Sequence, residues 1–145
     1  MIIALLFHPL LQTLATLLAG YVLWLGIQRF RALHWRHKVA FKWQVHVKLG
    51  MVALGLWLAG LIGGLALARF WWHSFLVTGT HGKMALIMLP LLLFGIISGL
   101  YMNRRRKKRT LLPLLHGSNN LLLLILALYQ AYTGCWVFSV YVLGN

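Results

Sequence analysis

The chain has 145 residues, 61% of them hydrophobic, with 14 Lys or Arg and not one Asp or Glu. Such a composition excludes an ordinary soluble domain of this size and points to a single membrane domain over residues 1–145. It also excludes proton pumping through side-chain carboxylates within this chain.

Apolar stretches at Leu10–Ile27, Leu49–Ala68, Met84–Met102 and Leu121–Leu143 are each long enough to cross a bilayer. They predict helix one over Ile3–Gln28, helix two over Trp43–Phe70, helix three over Thr80–Asn103 and helix four over Leu112–Val142. The N-terminal run lacks a preceding basic segment, holds a polar His early and is long, so it reads as a first mature span and not as a cleaved signal. The turn Arg69–Gly79 carries Trp71, Trp72, His73 and Phe75, residues suited to an interfacial aromatic belt. Pro90 predicts a bend in helix three, and Pro113 fits the first turn of helix four, where its missing N–H leaves nothing unpaired. Cys135 is the only cysteine, which excludes an internal disulfide, and the absence of Cys-x-x-Cys-His excludes covalent haem attachment of the c type; Cys135 reads as a small core residue.

The net charge of +14 is concentrated at helix ends, which favours a membrane surface over nucleic acid as its partner. Arg29, Arg31, Arg36, Lys38, Lys42 and Lys48 surround the first connection and Arg104–Arg109 fill the third, whereas Arg69 and Lys83 alone flank the second. The positive-inside bias then places connections one and three in the cytoplasm and both termini outside. Short connections predict an all-α fold, a transmembrane antiparallel four-helix bundle running up-down-up-down. In this order diagonal helices run parallel. His8 and His81 fall at one depth near the outer surface, and His46 and His116 at another near the inner surface.

Each of these four histidines is followed eighteen residues later by a glycine: Gly26, Gly64, Gly99 and Gly134. Eighteen residues make five helical turns, so each His and its Gly share a helix face about 27 Å apart. Two imidazoles meeting across a bundle form a poor zinc or di-iron site in a chain without carboxylates. They suit the two axial positions of a haem, which brings its own equatorial nitrogens and a large apolar surface. The expectation is two haems b, an outer one on His8/His81 and an inner one on His46/His116. On this reading the irons lie about 20–27 Å apart, and Gly64 and Gly134, or Gly26 and Gly99, let backbone pass close to a flat macrocycle. Helix packing is the other explanation for those glycines.

Lys48 and Lys83, each two residues after a histidine, either pair with haem propionates or snorkel to headgroups. Gln12, Asn119 and Asn120 either bond propionates or a quinone, or serve as polar filler at helix ends. Pro9 makes His8 the least secure ligand, because it disfavours helical geometry at the preceding residue. His34, His37 and His73 read as solvated or interfacial.

With these residues on view, the sequence resembles the cytochrome b561-like superfamily, in particular small bacterial four-helix members. The resemblance rests on His8-Pro9, His46-Val-Lys-Leu-Gly50, Phe70-Trp71 followed by Thr80-His81-Gly82-Lys83, and His116 with Asn119-Asn120 leading to Gln130-Ala-Tyr-Thr-Gly134. It implies a dihaem b-type cytochrome moving electrons across a bacterial inner or equivalent energy-conserving membrane. The chain lacks the six helices and longer loops of ascorbate-using members, so that activity is not carried over. Minimal loops imply partner subunits such as a c-type cytochrome, or a quinone in the membrane. The competing expectations are a quinone-linked oxidoreductase subunit and a cofactor-free membrane anchor of a larger complex.

Overall fold

A computed structural model describes residues 2–36, 38–105 and 107–144, with side chains from Leu5 onward. His37, and Arg106 within the basic run, lie outside the described residues. Among the described residues the fold is all-helical: α1 (Ile2–His34), α2 (Trp43–Trp72), α3 (Thr80–Arg104) and α4 (Leu111–Phe138), with a closing π-helical turn at Ser139–Leu143. All four helices are long and apolar enough to cross a membrane.

The helices run further than the apolar stretches do. Nothing between Gln28 and His34 breaks a helix, and Arg29, Arg31 and Leu33 are good helix formers, so α1 continues until the left-handed Arg36 (φ 50°) turns the chain. A second left-handed residue, His73 (φ 55°), caps α2. Gly79 (φ 59°, ψ −121°) opens α3 with a backbone conformation that a side chain would strain. Both Pro9 and Pro90 lie inside continuous helix. The worry that Pro9 would pull His8 out of helical geometry is therefore corrected: the proline removes one ladder hydrogen bond, and the rest of α1 carries the helix through.

Packing follows the hairpins. α1 lies chiefly on α2 and α3 on α4, while α2–α3 and α1–α4 contacts close the ring and leave α1/α3 and α2/α4 as diagonals. The core sits at mid-depth and is built from small residues, Ala15, Ala19, Ala53 and Ala127, around Leu54, Trp57, Met88, Leu92 and Leu123. Small side chains let helix backbones approach closely, which matters where lipid removes most of the hydrophobic drive for association. Trp57 donates its indole N–H to Thr16 Oγ1 (3.2 Å), so the one large polar-edged residue of the core is satisfied. The outer surface of the bundle exposes large apolar residues on every helix, among them Phe7, Leu14, Trp24, Ile62, Ile97 and Ile125, as a lipid-facing surface must. Cys135 is exposed, correcting its reading as a core residue; it stands beside Tyr132 and Trp136 on the outward side of α4.

Candidate functional site

The bundle brings the four histidines together in two pairs, each across a diagonal. His8 of α1 faces His81 of α3 with ring centres 6.5 Å apart and planes at 80°. His46 of α2 faces His116 of α4 at 6.5 Å and 70°. The first pair stands at the end that carries the chain termini, the second at the end of the basic connections. Among the described residues, no third His or Cys joins either pair.

Each imidazole lies against a glycine of its hairpin neighbour. A Cβ placed on Gly64 would come 2.9 Å from Cε1 of His8, and one on Gly26 would come 3.4 Å from Cε1 of His46. In the second hairpin the corresponding distances are 3.3 Å from Gly134 to His81 and 3.4 Å from Gly99 to His116. Gly64 and Gly134 thus flank the His8/His81 pair, and Gly26 and Gly99 flank the His46/His116 pair. The repeat behind this is a helical hairpin, not a single helix: His8 and Gly26 recur 73 residues later as His81 and Gly99, and His46 and Gly64 recur 70 residues later as His116 and Gly134.

Hydrogen bonds fix three of the rings. Nδ1–H of His46 donates to the Val22 carbonyl (3.1 Å). Ser98 gives its own proton to the Phe94 carbonyl (2.6 Å), so its oxygen accepts from Nδ1–H of His116 (2.8 Å). Thr133 likewise donates to the Gln130 carbonyl (3.2 Å) and accepts from Nδ1–H of His81 (3.0 Å). With the proton held on Nδ1, the tautomer leaves a lone pair on Nε2. Among the described residues, no Nε2 of the four histidines has a hydrogen-bond partner, and His8 has none on either nitrogen.

The spacing of the ring centres would let two imidazoles of each pair hold one metal between them. With a metal–nitrogen bond of roughly 2.0 Å and a ring nitrogen about 1.2 Å from the ring centre, opposed imidazoles hold their centres roughly 6.4 Å apart. Both pairs stand at 6.5 Å. Two donors leave a bare ion under-coordinated, so the donor set fits a metal that brings its own equatorial ligands.

Other sequence candidates are placed differently. Lys48 and Lys83 are exposed, and an offset of two residues puts them about 200° around α2 and α3 from His46 and His81. That is the place of a cation reaching toward headgroups. Asn120 donates to the His116 carbonyl (2.7 Å) within α4. Gln12 donates to Leu56 O (3.3 Å), Asn119 to Leu91 O (3.0 Å) and Gln130 to His81 O (3.1 Å), each tying one helix of a hairpin to the other. These carboxamides are interhelical staples and not filler. His34 and His73 are exposed.

Sequence reasoning missed Ser98, Thr133 and Val22, and also Gly60 and Gly95, which receive the carboxamides of Gln12 and Asn120. A signal for the last two existed: Gly60 with Gly64, and Gly95 with Gly99, form Gly-x-x-x-Gly pairs. Compared with protein-family models, curated proteins and solved structures, the chain matches none.

Proposed function

We infer that this protein is a dihaem b-type membrane cytochrome that passes electrons between the two faces of a bilayer. The observation that carries the reading is the duplicated diagonal pair: two imidazoles 6.5 Å apart, at each of two depths, with Nε2 unengaged. His8 and His81 would hold one haem and His46 and His116 the other. Each haem, when bound, supplies one-electron exchange between ferric and ferrous iron.

The chain's own residues supply position and surroundings. Val22, Thr133 and Ser98 orient three imidazoles through Nδ1. Gly26, Gly64, Gly99 and Gly134 keep the flanking helix surfaces free of Cβ atoms, and the alanine-rich layer at mid-depth separates the two sites with dry apolar packing. Fourteen basic side chains without a single acidic one favour the reduced, more negative state of a nearby centre, raising potentials relative to neutral surroundings. The charge asymmetry supports an orientation with the His46/His116 pair near the cytoplasm; the proposed membrane is a bacterial inner or equivalent energy-conserving one, as the resemblance implies. The residue pattern supports kinship with small cytochrome b561-like proteins. Short connections support redox partners outside this chain, of the c-type cytochrome or quinone class.

Reduced-minus-oxidised spectroscopy with haem counting on purified protein tests this directly. Two haems per chain are expected, with His46→Ala and His81→Ala each removing one and sparing the other. Protein lacking a Soret band after expression with ample haem would end the reading and leave a cofactor-free membrane anchor.

A further inference from the structure

At the basic end of the bundle, a cavity of about 430 Å³ opens between the end of α1, the end of α3 and the start of α4. Its size lies within the roughly 300–1,000 Å³ typical of small-molecule sites. Arg29 of α1 and Lys107, Lys108 and Arg109 of the third connection line it, and Leu33, Met102 and Pro113 supply apolar wall. Four cations from two separate segments thus converge on one space. The chain has no side-chain carboxylate to neutralise them, so the partner anion must come from outside.

Two further features suit a phosphate. The guanidinium of Arg109 stacks on Tyr101 (4.6 Å to the ring centre) and that of Arg29 on Phe41 (5.2 Å), which orients the planar forks and leaves their edge N–H donors open. Thr110, which lines the cavity, caps α4 without a side-chain hydrogen bond, so the N–H groups of Leu111 and Leu112 open a 28-residue helix without a capping side chain, while Pro113 has no N–H. The cavity lies at the ends of α1 and α3 and the start of α4, three helices long and apolar enough to cross a membrane, and Leu33 of its wall is exposed.

We propose that this cavity seats an anionic phospholipid, its phosphodiester held between Arg29 and Arg109 with Lys107 and Lys108 balancing charge. The site is independent of haem. It fixes one lipid against the junction of three helices, a role distinct from diffuse attraction of a basic loop to the membrane surface.

The test is native mass spectrometry of the full chain released from mixed phosphatidylglycerol/phosphatidylcholine vesicles. Wild-type protein should retain one phosphatidylglycerol in preference to phosphatidylcholine. Replacing Arg29→Gln together with Arg109→Gln removes two charge-assisted contacts and should reduce that retention at least roughly tenfold. Lys38→Gln, which removes an exposed cation of the first connection outside the cavity, should leave it unchanged. Lys108→Gln alone keeps both stacked guanidiniums and should give an intermediate loss even if the double variant fails to insert. Equal retention in wild type and variants would overturn the proposal, as would displacement of the lipid by inorganic phosphate, which would mark a free-anion site instead.

Discussion

The Ser98 hydroxyl stands 2.8 Å from Nδ1 of His116, on the helix that also presents Gly99 to the same imidazole. One stretch of α3 therefore supplies both the room for the ring and the hydrogen bond that sets its tautomer. The same hairpin repeats the arrangement from α4, where Thr133 and Gly134 meet His81. A donated Nδ1–H raises the electron density of the ring and favours ferric iron bound at Nε2. For the haem proposed on His46/His116, Ser98→Ala should then raise the midpoint potential and weaken haem retention by roughly 10–100-fold. The other centre should be unchanged. Thr133→Val should do the converse, and potentiometric titration of each variant distinguishes the two.

Ring orientation offers a check that needs no substitution. The imidazole planes meet at 80° in one pair and 70° in the other. If the proposed haems are bound, imidazoles held this near to perpendicular would leave the iron d-orbitals close to degenerate, and each ferric centre would give a low-spin electron paramagnetic resonance signal with a large, isolated low-field g value. The rhombic three-line spectrum of parallel imidazoles, seen for either centre, would contradict the geometry.

The flanking glycines differ in how much room they leave. At Gly64 a methyl group would meet His8 at 2.9 Å, a distance that forces the ring to move, whereas at Gly26 and Gly99 the nearest ring atom is 3.4 Å away, ordinary contact. Gly64→Ala should lower occupancy of the centre on His8/His81, and Gly26→Ala and Gly99→Ala should each be tolerated. His8 makes this sharper, since no hydrogen bond fixes its ring. Haem per chain, measured for the three variants side by side, decides it. A uniform loss would show that the glycines serve helix packing alone.

The bundle and the pairing of histidines by depth were legible because they depend on periodicity and charge, which a sequence displays openly. Four apolar spans with short connections admit few arrangements, and spacing alone puts His8 level with His81. What stayed hidden depends on rotation of one helix against another. Ser98 and Thr133 look like ordinary polar interruptions until α3 and α4 are docked, and Gln12 reads as helix-end filler until α2 supplies Leu56 O. Lys48 and Lys83 left two readings open in the sequence, pairing with propionates or reaching to headgroups, and only the docked helices place them exposed, about 200° around from His46 and His81. The extension of α1 to His34 went unread because membrane apolarity ends at Ile27, while helical propensity does not.

Gln12 and Gly60 form the closest fit in the first hairpin. A Cβ at Gly60 would collide with the Gln12 carboxamide, which reaches over α2 to donate to Leu56 O (3.3 Å). Interhelical hydrogen bonds in membranes contribute modestly, on average about 0.6 and up to roughly 2 kcal/mol, because the separated helices find other partners. Gln12→Ala should therefore reduce stability by an amount in that range. Gly60→Ala should reduce it more, since it displaces the carboxamide and also holds α1 away from α2, one turn from the Gly64–His8 contact. In the double variant the collision is gone, so its loss should be smaller than the sum of the two single losses. Denaturant unfolding in detergent across this cycle measures the coupling. Strict additivity would mean that Gln12 does not lie over Gly60 in the membrane. If Gly60→Ala also lowers haem occupancy at His8/His81 while Gln12→Ala does not, the backbone distance between α1 and α2 is what sets that site.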